Sequence, residues 1–156
     1  MTKKTKKSHA QEAENPRLYD AVQQGIHEIG QCLDVETLTD EAYINSANHG
    51  FWSDADLKAI VSSVPEDQPR RTEVILMKLA LVHAEISEAV EECRRGDYEN
   101  RIEHGKPEGF YVELADAIIR ICDLVGAMGG QLDLEAALYA KLSYNRSRPH
   151  KHGKLA

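Results

Sequence analysis

The stretch LVHAEISEAVEECRRG at residues 81–96, followed by ELADAIIRICDL at 113–124, decides the fold class. In the first, Val82, Ile86, Ala89 or Val90, and Cys93 recur at steps of three and four. With Ile75 and Leu79 upstream, the apolar stripe predicts one long helix over about 72–95. In the second, Leu114, Ala117 or Ile118, Ile121 and Val125 predict another over about 108–128, which Gly129-Gly130 stops. Between them, residues 96–109 are polar, contain Pro107 and read as a loop.

Working outward, Asn15-Pro16 reads as a helix cap and first helical position, with Leu18, Val22, Ile26 and Ile29 as the stripe and Gly30 as the end. A shorter helix is expected from near Thr39 to Gly50, carrying Ala42, Tyr43 and Ala47. Leu57, Ile60 and Val61 suggest a helical turn or two, while Pro65 and Pro69 exclude a long helix there. Asp133 is expected to cap a last helix through Leu134, Leu138 and Leu142 to about Tyr144. No segment shows a two-residue period and no repeat is present. The expected architecture is all-α, a helix bundle forming one domain over residues 15–148. A lysine-rich arm (1–14) precedes it and a basic tail (149–156) follows.

The 156 residues suit one domain, which at this size buries about 68–70% of its unfolded surface and needs no covalent staples. The three cysteines, Cys32, Cys93 and Cys122, show no CxxC spacing and read as small apolar residues in a reducing compartment. No apolar run reaches the ~18–20 residues of a membrane helix, and no apolar segment follows the basic start as in a signal peptide, so a cytoplasmic location is expected. The net charge of −7 is unevenly spread. Residues 1–15 carry +2 and residues 141–156 carry +5, which leaves −14 for residues 16–140. An acidic body of this kind does not suit duplex nucleic acid.

Part of that charge is placed for chemistry. Glu85 and Glu88 are three apart on one predicted helix, and Glu113 and Asp116 repeat the spacing on the next. Neighbours at three and four residues are those that can neutralise a helical charge. Glu91 has Arg94 and Arg95, an ordinary surface arrangement. Glu85, Glu88 and Glu113 have no base at those steps; Asp116 has Arg120, which Asp123 can share. If the two helices pack, four carboxylates face one volume, and such a cluster takes up protons or a cation. All-oxygen ligation suits Mg²⁺ or Mn²⁺. The spacing alone leaves a metal site and a solvated acidic face both open.

NSANHGFW at 45–52, the two carboxylate segments, and KLSYNRSRPHKHGK at 141–154 together resemble the MazG-like proteins of the all-α nucleoside triphosphate pyrophosphohydrolase superfamily, in particular the short single-domain phage and bacterial forms. The resemblance covers about residues 40–154. It implies a bundle in which Glu85, Glu88, Glu113 and Asp116 bind Mg²⁺ (or Mn²⁺), with hydrolysis of an NTP or dNTP to the monophosphate and pyrophosphate. Glu85 or Glu88 would take the proton from water. Many members carry a further Glu directly before the first; that position is Ala84 here, so no role is carried over to it. The resemblance makes Lys141 and Asn145 phosphate contacts, with Tyr144 and Arg148 beside them. It places Trp52 against the nucleobase with Asn48 nearby, although Trp52 reads equally well as a core anchor. His83 reads as structural, and His150 and His152 as tail residues.

The resemblance also implies a homodimer or dimer of dimers, in line with a 72–95 helix that is apolar nearly all round. Two other functional classes stay in view. One is a non-catalytic helical bundle that binds nucleotide or protein; the other is a relative acting on another nucleotide such as phosphoribosyl-ATP. A ferritin-like di-metal protein is disfavoured because Glu-x-x-His is missing.

Overall fold

A computed structural model of the chain describes residues 33–148. The expected arm, the 15–30 helix and the tail from residue 149, with His150, Lys151 and His152, lie outside the described residues. Of the described residues, 76% are helical, the all-α class. Five helices run in order: α1 (Val35–Asn48), α2 (Asp54–Val61), α3 (Gln68–Arg95), α4 (Phe110–Ala127) and α5 (Gln131–Ser147). A 3-10 turn at Pro65–Asp67 leads into α3, and two three-residue strands, β1 (Arg101–Glu103) and β2 (Lys106–Glu108), precede α4.

The expected boundaries move for local reasons. The α1 helix starts at Val35, ahead of the expected start near Thr39, because Asp34 caps it, accepting from the Thr37 N–H at 2.8 Å. Thr39 instead lies buried inside the helix, its hydroxyl donating to the Val35 carbonyl. Ser53 caps α2 through the Asp56 N–H. The α3 helix begins at Gln68 with Pro69 in its first turn, where a missing N–H costs nothing. Asp133 falls in the first turn of α5 and Gly130 takes the cap position. The helix then runs to Ser147, three residues past the expected end.

The loop expected over 96–109 contains a hairpin. Arg101 pairs with Glu108, Ile102 with Pro107 and Glu103 with Lys106, around the two-residue turn His104-Gly105. Both turn residues have positive φ, 51° and 86°, the backbone that matches the twist of a tight hairpin and that glycine adopts freely. Strands of three residues with one branched apolar side chain, Ile102, carry too short a pattern for a two-residue period to register.

The described residues belong to two compact units. In one, residues 34–75 join 122–148, and its core is Trp52, Ile60, Val74, Leu124 and Ala127, with Tyr43, Ala47, Leu57 and Ile75 packed against it. Here α1 lies along α5, and Gln131 Nε2 donates to Asp40 Oδ1 at 2.8 Å. Gly126 permits the close approach of α4 to α1: a Cβ there would meet Tyr43 Cβ at 2.6 Å and the Thr39 carbonyl oxygen at 2.8 Å. The other unit contains Leu76–Ile121 and therefore the C-terminal part of α3, the hairpin and the N-terminal part of α4. No helix among the described residues is long and apolar enough to cross a membrane.

Candidate metal centre

The three-residue spacing on α3 and α4 is converted by the fold into a convergent group. One carboxylate oxygen each from Glu85, Glu113 and Asp116 lies within 4.8 Å of the other two. Glu85 and Glu113 are buried and Asp116 is half-buried. Glu88, three residues along α3 from Glu85, is exposed and is not one of the convergent three. It lines an open cleft of about 460 Å³ together with Glu113, Glu91, Glu92, Arg101 and Glu108. Thus three of the four expected ligands meet, and the fourth stands at the mouth.

Electrostatics of the group follow from burial. The Glu113 carboxyl is pushed above its ordinary range first by desolvation, then by Glu88, Asp116, Glu108 and Glu85. The Asp116 carboxyl is also raised, again chiefly by desolvation and then by Glu85, against a downward pull from Arg120 and Lys106. Both therefore favour a proton or a cation over bare charge. Among the described residues neither makes a hydrogen bond or an ion pair.

Glu85 differs. Its Oε1 accepts from Arg120 Nε at 2.5 Å. Helical spacing offers Arg120 to Asp116 and Asp123, its neighbours along α4; the structure gives its direct bond to Glu85 on α3. A neighbour rule confined to one helix cannot see a base supplied by the next. Asp123 accepts instead from Trp52 Nε1 at 2.6 Å in the other unit.

Two further features escaped the sequence reading. Glu108, at the end of β2, adds a carboxylate to the cleft and is held by Lys106 at 2.9 Å along the same strand. Beyond it, Arg101 on β1 grips Glu92 of α3 with both terminal nitrogens, at 2.9 and 3.2 Å, while Nε bonds Glu103. Arg95 adds a third bond to Glu92 at 2.9 Å. The Arg101 bonds, assisted by the charges of Arg101 and Arg95, hold the Glu92 carboxyl below its ordinary range. This two-pronged clamp ties the hairpin to α3 and so places Glu108 beside Glu113. The only trace of it in the sequence is the His104-Gly105 pair, a turn signal of modest strength.

No protein-family model, no curated protein and no solved structure matches this chain.

The donor set fits a hard divalent cation. Three carboxylates supply oxygen only, and Mg²⁺ with ligands at about 2.1 Å holds its oxygens about 3–4 Å apart. Side chains already within 4.8 Å reach that spacing by small torsional changes. Among the described residues no His or Cys joins the group, which disfavours the softer metals.

The remaining expected residues lie in the other unit. Lys141, Tyr144, Asn145 and Arg148 occupy the end of α5. The Lys141 ammonium and the Arg148 guanidinium stand 5.4 and 5.5 Å from the Tyr144 ring centre, so two cations flank one exposed aromatic face. Asn48, the last residue of α1, is exposed. Trp52 is only 6% exposed; it packs edge-on to Tyr43 at 6.3 Å and belongs to the core. Burial supports its reading as a core anchor over its reading as a nucleobase platform.

Proposed function

We propose that this protein is a divalent-metal-dependent nucleoside triphosphate pyrophosphohydrolase of the MazG-like kind. The observation that carries the reading is the convergence of Glu85, Glu113 and Asp116, from ExxE on α3 and ExxD on α4, with oxygens within 4.8 Å of one another. Glu85, Glu113 and Asp116 would hold Mg²⁺, with Glu88 beside them in the cleft. When bound, the ion neutralises phosphate charge and makes a water acidic enough to supply a nucleophile near neutral pH.

The chain's own residues account for the rest of the chemistry. In the hydrolysis, a water oxygen bonds to the α-phosphorus, the bond from that phosphorus to the α–β bridging oxygen breaks, and pyrophosphate leaves. Glu88, exposed and outside the tight group, is the carboxylate best placed to accept the water proton, because its oxygens are not committed to the cluster. The exposed face of α5, with Lys141 and Arg148 around Tyr144 and Asn145 beside them, suits an anionic phosphate chain. Self-association accords with the exposed apolar side chains of Leu76, Leu79, Ile86 and Val90 on α3 and Ile118 and Ile119 on α4.

The test is a pyrophosphate-release assay with Mg²⁺ or Mn²⁺ over the common NTPs and dNTPs, with phosphoribosyl-ATP included. Product is expected from at least one nucleotide, and Asp116→Asn should reduce its rate at least a hundredfold. Binding of nucleotide by calorimetry with no turnover would replace this reading with that of a non-catalytic binding protein.

A further inference from the structure

The bond between Arg120 and Glu85 competes with a metal for the same carboxylate: it occupies one of the two oxygens and sets a positive charge beside the place a cation would take. Glu85 is one of the three side chains whose oxygens converge, and its Oε1 is already taken by Arg120 Nε at 2.5 Å. A divalent ion seated there would bring a second positive centre against the guanidinium. The two partners differ in freedom: the Glu85 side chain is 8% exposed and the Arg120 side chain 39%. The arginine is thus the partner able to move. A divalent ion also leaves the surrounding carboxylates of Glu85, Glu88, Glu113 and Asp116 net negative, so a phosphate chain entering the site needs a further cation. Arg120 is already in contact with the cluster, and a guanidinium offers paired donors that match phosphate oxygens.

We infer that Arg120 is an exchangeable counter-ion: it holds Glu85 in the metal-free protein, yields that carboxylate to the metal, and then donates to a phosphate oxygen of the bound nucleotide. The inference rests on the metal-dependent reading above and adds a residue to it.

Arg120→Gln separates the two halves of the role by sign. Mn²⁺ alone, titrated by calorimetry or by its electron-spin signal, should bind about tenfold more tightly than to wild type, because no guanidinium competes (a tenfold change being about 1.4 kcal/mol). An α,β-methylene triphosphate analogue, titrated at saturating Mn²⁺, should bind about tenfold more weakly, because a charge-assisted donor is lost. A merely structural arginine would move both constants the same way, or neither, and either result overturns the inference. Wild-type protein that binds no Mn²⁺ overturns the metal reading and this inference together. Binding by wild type without the opposed shifts overturns this inference alone. If the glutamine variant does not fold by circular dichroism, Arg120→Lys keeps the charge and loses the directed Nε bond. It should shift both constants in the same opposed directions by about threefold, and unchanged constants would refute the role.

Discussion

Replacing Glu113 by glutamine removes one charge from a buried, crowded position and keeps the side chain's shape. Glu113 is 4% exposed, and its carboxylate lies within 4.8 Å of those of Glu85 and Asp116. Two like charges at that distance repel by about 3 kcal/mol at an effective dielectric near 20. The guanidinium on Glu85 cancels much of that residue's share, and water at the cleft screens the remainder. The net relief in metal-free protein is therefore about 1–2 kcal/mol, a rise of about 3–6 °C in melting temperature for a chain of this length. The assay is thermal unfolding by circular dichroism at pH 7, low salt and excess chelator, with Glu91→Gln as the surface control.

The pH dependence carries a definite sign. The carboxyls of Glu113 and Asp116 titrate above their ordinary values of 4.5 and 3.8, so the folded protein keeps protons that the unfolded chain has already released. Stability contributed by these groups is greatest at or below the ordinary carboxylate range. It declines as pH rises through their elevated folded values, where it levels off. Glu92, held low by Arg101, acts oppositely: its contribution is lost as pH falls through its depressed value. As pH rises from the ordinary carboxylate range through these elevated values, metal-free wild type should lose stability more steeply than Glu113→Gln, and Mg²⁺ should flatten the wild-type slope only. A Glu113→Gln protein that melts several degrees below wild type in chelator would refute the reasoning, since it would mean that Glu113 is held by a partner and not repelled by its neighbours.

Other outcomes follow from single contacts. Trp52→Phe removes the 2.6 Å bond to buried Asp123 and should cost about 1–3 kcal/mol in urea unfolding. Gly126→Ala forces a methyl against Tyr43 and the Thr39 carbonyl, at 2.6 and 2.8 Å, and should destabilise by about 1–3 kcal/mol in the same assay. Arg101→Met releases the clamp on Glu92 and should speed amide exchange in the hairpin at Glu103 and Lys106 while leaving exchange in α1 unchanged.

The sequence by itself determined the helical class and the positions of the long helices, because a 3.6-residue period is a local property written into every turn. Ile75, Leu79, Val82 and Ile86 mark α3 without reference to anything else in the molecule, and the same geometry puts Glu85 with Glu88 and Glu113 with Asp116. Helix starts were less legible where several capping residues stand close together, as Asp34 and Thr39 do, since only one can meet the free N–H groups.

The tertiary structure alone decided what lies across from each face. The rotation of α3 and α4 about their axes brings Glu85, Glu113 and Asp116 together and leaves Glu88 at the cleft. It hands Arg120 to Glu85 across the interhelical gap, although Asp116 is its neighbour in the chain. The Arg101 clamp carries Glu108 to the site from what reads as a loop, and the core closes over Trp52. Each of these depends on how two separate elements are set against one another, a relation that side-chain spacing within either element does not contain.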